Sequence, residues 1–302
     1  MGVDANDQLY PLAFAIVEKE TTDTWSWFLA CIRCLVTQRT GLCVISDRHK
    51  GIMKAMNENG SGWEEPFAYH RFCIRHHASN INSKFKNRAL KDLFSWTAFQ
   101  HQSIKFNTGL AKINELNVQA RADLDTLPLS KWSMCHGGAL RYGIKTTNLA
   151  EVFNNVLKGA RFLPITALVK VTFFRVNSYF VQRREFAKAR IMEGLKFSPV
   201  VTKYVENNFE KAAHHKVEPF NSETGVYQVK TGRGQRTAGK GGHRHTVNLS
   251  KRTCTCNKFQ IYHFPCSHVA AVCRTYNLTT DQFIDPHVIE EGTWSAKVQK
   301  DS

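Results

Sequence analysis

Four side chains within fifteen residues, Cys254-x-Cys256, nine intervening residues, then Cys266-x-His268, constrain this chain more than any other spacing in it. Two thiolates at i and i+2 near a strand end leave the backbone on one side, and a second such pair at a turn into a helix can close a tetrahedron around Zn2+. Four protein ligands leave no open position for water. The site therefore reads as structural, with the metal's binding energy counting as folding energy. Cys273 and His263 are competing ligands, but Cys273 shares a helix face with Val269, Val272 and Tyr276 and reads as a packed core thiol. Nine cysteines, an odd number scattered through 302 residues in mixed Cys/His contexts, suit reduced thiols and metal ligation better than a disulfide framework. The nucleus is the expected location, with the cytosol as the alternative.

Charge singles out the same region. The formal net charge of +16 is unevenly placed: residues 1–70 carry net −3 and residues 71–302 net +19. Between Thr224 and Thr280 there is no acid against nine bases, a pattern that attracts phosphate backbones through counterion release. Arg233, Arg236, Lys240, Arg244, Lys251 and Arg252 are the expected DNA contacts. No apolar run approaches the roughly 18 residues of a membrane span, so no membrane association is expected.

Along the chain, Leu9–Val17 has the apolar content of a strand, pushed toward an edge by Pro11. Trp25, Phe28, Leu29, Ile32 and Leu35 recur at helical steps behind a cap at Asp23 or Thr24, with Gly41 as the stop. Leu42–Ser46 reads as a buried strand that ends in Asp47 before a second helical stretch. Strand and helix in alternation make an α/β pattern. Residues 148–195 read as mostly helical, divided by Pro164. From about Phe220 short alternating strands (VYQV, HTVNL) surround a Gly-rich basic connection, which sets the expected division: a core over 1–195 with a helical insertion at about 79–140, a connector over 196–222, a zinc region over 223–285 and a tail over 286–302.

Other candidates are locally ambiguous. Asp47 at a strand end can hold Mg2+ or serve a turn. Glu151 completes a capping box with Asn148, a structural role. Cys73-x-x-His76 can bind metal, though packing on one helix face is favoured locally, as it is for Cys31-x-x-Cys34.

The block CTCNKFQIYHFPCSH resembles the SWIM-type zinc finger at all four ligand positions, a module treated in its family as a nucleic-acid or protein interaction unit. NDQLYPLAFAIVEKETTDTWSWFL, CVISDRHKGI, the Cys73-x-x-His76 block and RYGIKTTNLAEVFN followed by RFLPI resemble, in order, the Mutator-like family of plant DNA transposases. That resemblance implies a ribonuclease-H-like α/β core with a helical insertion, carrying a small ββα-like zinc module behind it. It also implies three carboxylates holding two Mg2+ or Mn2+ ions, with Asp47 and Glu151 matching the second and third. The family's first Asp lies upstream of the segment at which this chain starts, and Asp4 and Asp7 match positions in the following strand. The resemblance thus implies an incomplete core, its first strand missing, without autonomous transposase activity, whose open sheet edges call for a protein partner or a second copy. Two rival readings are an active metal-dependent transposase or endonuclease and a host-retained transcriptional regulator or interaction adaptor.

Overall fold

The computed structural model describes residues 1–4, 6–145, 158–221, 224–232 and 242–286. The chain divides into two compact units, one formed by Met1–Tyr10 with Phe153–Ser302 and the other by Pro11–Val152.

The first unit opens with a small antiparallel hairpin of β1 (Gly2–Val3) and β2 (Leu9–Tyr10). Asp4 builds its turn by accepting the N–H groups of Asn6 at 2.9 Å and Gln8 at 2.7 Å. The strand expected over Leu9–Val17 therefore stops at Tyr10, because Pro11 has no N–H to continue the ladder. Beyond it Leu12, Phe14, Ile16 and Val17 are exposed.

The second unit starts at α1 (Thr22–Leu35). Its cap is Thr21 rather than Asp23 or Thr24: the Thr21 hydroxyl accepts the Thr24 N–H, and the Thr24 hydroxyl accepts the Thr21 N–H in return. The helix ends at Leu35, short of Gly41. Next come β3 (Leu42–Ser46), α2 (Lys50–Met56) and β4 (Ala68–Phe72), a strand-helix-strand unit whose strands pair in parallel with Leu42 opposite Ala68 and Ser46 opposite Phe72. The β3 strand expected to be buried is only half-buried at all five positions, since β4 is its one partner among the described residues. Leu29, Ile52, Ala55, Met56, Trp63 and Ala68 make the core beneath α1 and α2, with the Trp63 indole donating to the Leu29 carbonyl at 3.0 Å.

Five helices occupy the stretch expected as a helical insertion: α3 (Ile74–Phe85), α4 (Arg88–Ala98), α5 (Ser103–Leu116), α6 (Val118–Asp125) and α7 (Leu129–Trp132). They close around an aromatic cluster in which fully buried Trp132 lies 5.3 Å from Phe94 and 5.4 Å from Phe106, centroid to centroid. The His77 ring joins it 4.7 Å from Phe94, and burial, with the charge of Arg48 second, lowers its pKa to about 3, so it packs as a neutral ring.

The first unit resumes with α8 (Ile165–Met192), which starts directly after Pro164. The segment expected as a connector instead holds α9 (Pro199–Ala212), capped by the Ser198 hydroxyl, and the strand β5 (Lys216–Asn221). An antiparallel sheet follows in the order β5, β6 (Val226–Lys230), β7 (Arg244–Asn248), β8 (Thr253–Cys254), and the short α10 (Lys258–Tyr262) and α11 (Ser267–Thr275) complete the module. The expected ββα arrangement is thus enlarged: Tyr227, Val229 and Val247 point inward by strand alternation onto Val269, Ala270 and Val272 of α11, and Ala212 of α9 belongs to the same core.

Gly109 of α5 is buried against Thr97 of α4, where an added Cβ would meet Thr97 Cγ2 at 2.8 Å. Alanine favours a helix interior over glycine by about 1 kcal/mol, whereas overpacking a filled core costs about 1–3 kcal/mol. Gly109→Ala is expected to lower the urea midpoint, against the propensity trend.

Candidate metal centre

The four ligands reach one point because two tight reversals bring a strand end beside a helix start. β7 turns back into β8 through Arg252, which has φ +50, and the chain turns again at Asn257 (φ +62) and His263 (φ +59) to enter α11 with Cys266 as its N-cap. Cys254 ends β8, Cys256 follows it, and His268 sits in the first turn of α11. Gln260 locks the first pair in place: its Oε1 accepts the Cys254 N–H at 3.1 Å and its Nε2 donates to the Cys254 carbonyl at 3.0 Å. On the other side Asn208 of α9 donates to the Pro265 carbonyl at 3.0 Å, just before Cys266. The His268 ring has two ring neighbours, His245 and His215, at centroid distances of 4.0 and 5.3 Å. Gln260, Asn208, His215 and His245 carry no metal-site signal in the sequence, because each acts through a neighbour's backbone or ring.

All four ligand side chains are buried, and their three sulfurs and one imidazole nitrogen lie within 4.8 Å of one another. His268 Nδ1 is 3.5 Å from Cys254 Sγ and 3.8 Å from Cys266 Sγ. A zinc tetrahedron with bonds of about 2.0–2.3 Å has edges of about 3.3–3.8 Å, so this donor set fits Zn2+ with little movement. The cluster also has a reason to want a cation. Hydrogen bonds from Cys254 and Cys266 hold Cys256 toward the thiolate, while Cys254 is pushed well up as the donor and burial pushes Cys266 up to about 12. A divalent ion replaces those shared protons and satisfies all the sulfurs at once.

The competing residues lie elsewhere. Cys273 is buried in the module core, its thiol pushed up to about 11 by burial, and His263 lies 3.4 Å from the Asp285 carboxylate. Among the described residues only the Cys254, Cys256, Cys266 and His268 group gathers three or more candidate ligands. Cys73 is buried at the N-cap of α3, and His76 is half-buried on that helix. Asp47 follows β3 and accepts the His49 N–H at 3.1 Å, an Asx turn leading into α2. Glu151, Arg233, Arg236 and Lys240 lie outside the described residues. Arg244, Lys251 and Arg252 are exposed, as are the other described cations of the acid-free stretch, Lys230, Lys258 and Arg274.

Residues 1–80 match the MULE transposase domain, and residues 245–277 match the SWIM zinc finger. No curated protein and no solved structure matches the chain.

Purified protein is expected to hold one zinc per chain, and Cys254→Ser combined with Cys256→Ser to abolish that stoichiometry in a metal-content measurement. Because the thiols must give up protons, the apparent zinc affinity of the stripped wild type should strengthen as pH rises.

Proposed function

From the two matches, which fit a Mutator-like, transposase-derived protein, we propose that this chain binds DNA through the basic face of its zinc-stabilised module and lacks autonomous transposase activity. The observation that carries the reading is the module itself: a Cys3His cluster at its centre and, along the acid-free stretch Thr224–Thr280 that contains it, described Lys and Arg side chains that are all exposed. Zinc holds the scaffold, and Arg244, Lys251 and Arg252, together with Arg233, Arg236 and Lys240, supply phosphate contacts without reading bases. A nuclear location goes with this role. Among the described residues no helix is long and apolar enough to cross a membrane.

A second reading, metal-dependent strand cleavage in a ribonuclease-H-like core, draws support from the MULE match and from Asp47 at the carboxyl end of β3, the edge where parallel sheets place functional groups.

Filter binding of a DNA duplex across a salt series tests the first reading. Affinity should fall with salt, and changing the six cations to Ala should flatten the log–log slope by about 0.9 for each phosphate no longer neutralised. Salt-independent binding, or an unchanged slope in that variant, would refute it. For the second reading the measurement is Mg2+- or Mn2+-dependent nicking of supercoiled DNA, and nicking abolished in Asp47→Asn would establish cleavage.

A further inference from the structure

Among the described residues, the second unit gathers a group of buried cations that a single carboxylate touches. Arg71, beside the carboxyl end of β4, is 4% exposed, and Arg141, in the turn-rich segment after α7, is 3% exposed. Arg141 donates Nη2 to the Phe72 carbonyl at 2.9 Å and to the Lys131 carbonyl at 2.8 Å, while its Nε and Nη1 are buried without a partner. Arg71 donates Nη1 to the His70 carbonyl at 3.0 Å, and its Nε has no partner. The carboxylate touching this group is that of Glu65, 3.3 Å from Arg71 Nη1 and 3.9 Å from Lys131 Nζ, with its side chain 53% exposed.

A solvated carboxylate screens a buried guanidinium weakly, and a buried charge left under-compensated is costly. The neighbours register the excess. His70 falls to about 4, through burial first and then the charges of Lys131, Arg71 and Arg141, and Arg141 falls to about 10 through burial. The charge of Asp47 opposes that shift at His70. A buried guanidinium and a half-buried ammonium meeting on one exposed, displaceable carboxylate, with a second buried guanidinium nearby, have the chemistry of a phosphate site.

We propose that Arg71 and Lys131, reinforced by the nearby buried charge of Arg141, form a second phosphate-binding site, on the other compact unit from the zinc module, which takes a backbone phosphate of nucleic acid in the place occupied by Glu65. The proposal rests on the nucleic-acid reading above. Glu65 acts as an internal competitor: it holds the site while the chain is free and swings into solvent when a phosphate arrives.

The test uses the full zinc-loaded chain, a DNA duplex, and the variants Glu65→Gln and Lys131→Gln, both at partly exposed positions. Glu65→Gln should tighten duplex binding by about fivefold, the worth of one exposed ion pair, while lowering the melting temperature of the free chain. A merely structural ion pair would move both quantities downward. Lys131→Gln should weaken binding and reduce the salt slope by about 0.9, and should do so equally when Arg244, Lys251 and Arg252 are already Ala. Unchanged or weaker binding in Glu65→Gln, or an unchanged slope in Lys131→Gln, overturns this site even if the wild type binds DNA. Stronger competition from polyglutamate than from duplex at equal charge overturns it in favour of an acidic protein partner. Absence of salt-dependent duplex binding by the wild type removes this site and the module's DNA-binding role together.

Discussion

The zinc module depends on one tie, between Cys254 and Cys256 at the end of β8 and Cys266 and His268 at the start of α11. Its core is built largely from small side chains, Val229, Val247 and the Val269–Cys273 run. Such a core buries little apolar area per residue, and small folds of this kind need a staple. Without a cation, three buried thiols and an imidazole must share protons among themselves, an arrangement that costs free energy. With a cation the same four groups become the strongest cross-link in the unit. The Gln260 clamp, the Asn208 hydrogen bond from α9 and the ring contacts of His245 and His215 with His268 all brace this point.

Charge is handled in opposite ways in the two units. On the zinc module the described cations of the acid-free stretch lie at the surface, where like charges are screened and inexpensive. Around β4, Arg71 and Arg141 are taken into the interior with few partners. Net charge alone, +16 for the chain, does not distinguish an exposed basic face from a buried cationic site.

Much of the local structure was legible. The helix around Trp25–Leu35, the strand Leu42–Ser46, the break at Pro164 and the alternating VYQV and HTVNL strands follow from periodicity and from proline chemistry. Three features were not. Leu9–Val17 has a strand's composition but, among the described residues, no strand partner beyond Tyr10, and residues 196–222 look like a linker yet supply α9 and β5 to the module core. The histidine that packs among the aromatics of the second unit is His77, one residue past the Cys73-x-x-His76 spacing, because helix rotation and the positions of Phe94 and Trp132 decide which ring faces inward.

The sequence by itself determined the ligand set at residues 254–268, since a Cys-x-Cys and Cys-x-His pair can close on one ion through local turns alone. It also determined the acid-free basic stretch and the helix-breaking prolines, because residue type, spacing and backbone chemistry are local properties. Only the tertiary structure decided the four-strand order β5-β6-β7-β8, the exclusion of His263 from the cluster, and the burial of Arg71 and Arg141. Those outcomes turn on partners distant in the chain, and pairing, burial and charge compensation are energies of the neighbourhood rather than of the residue.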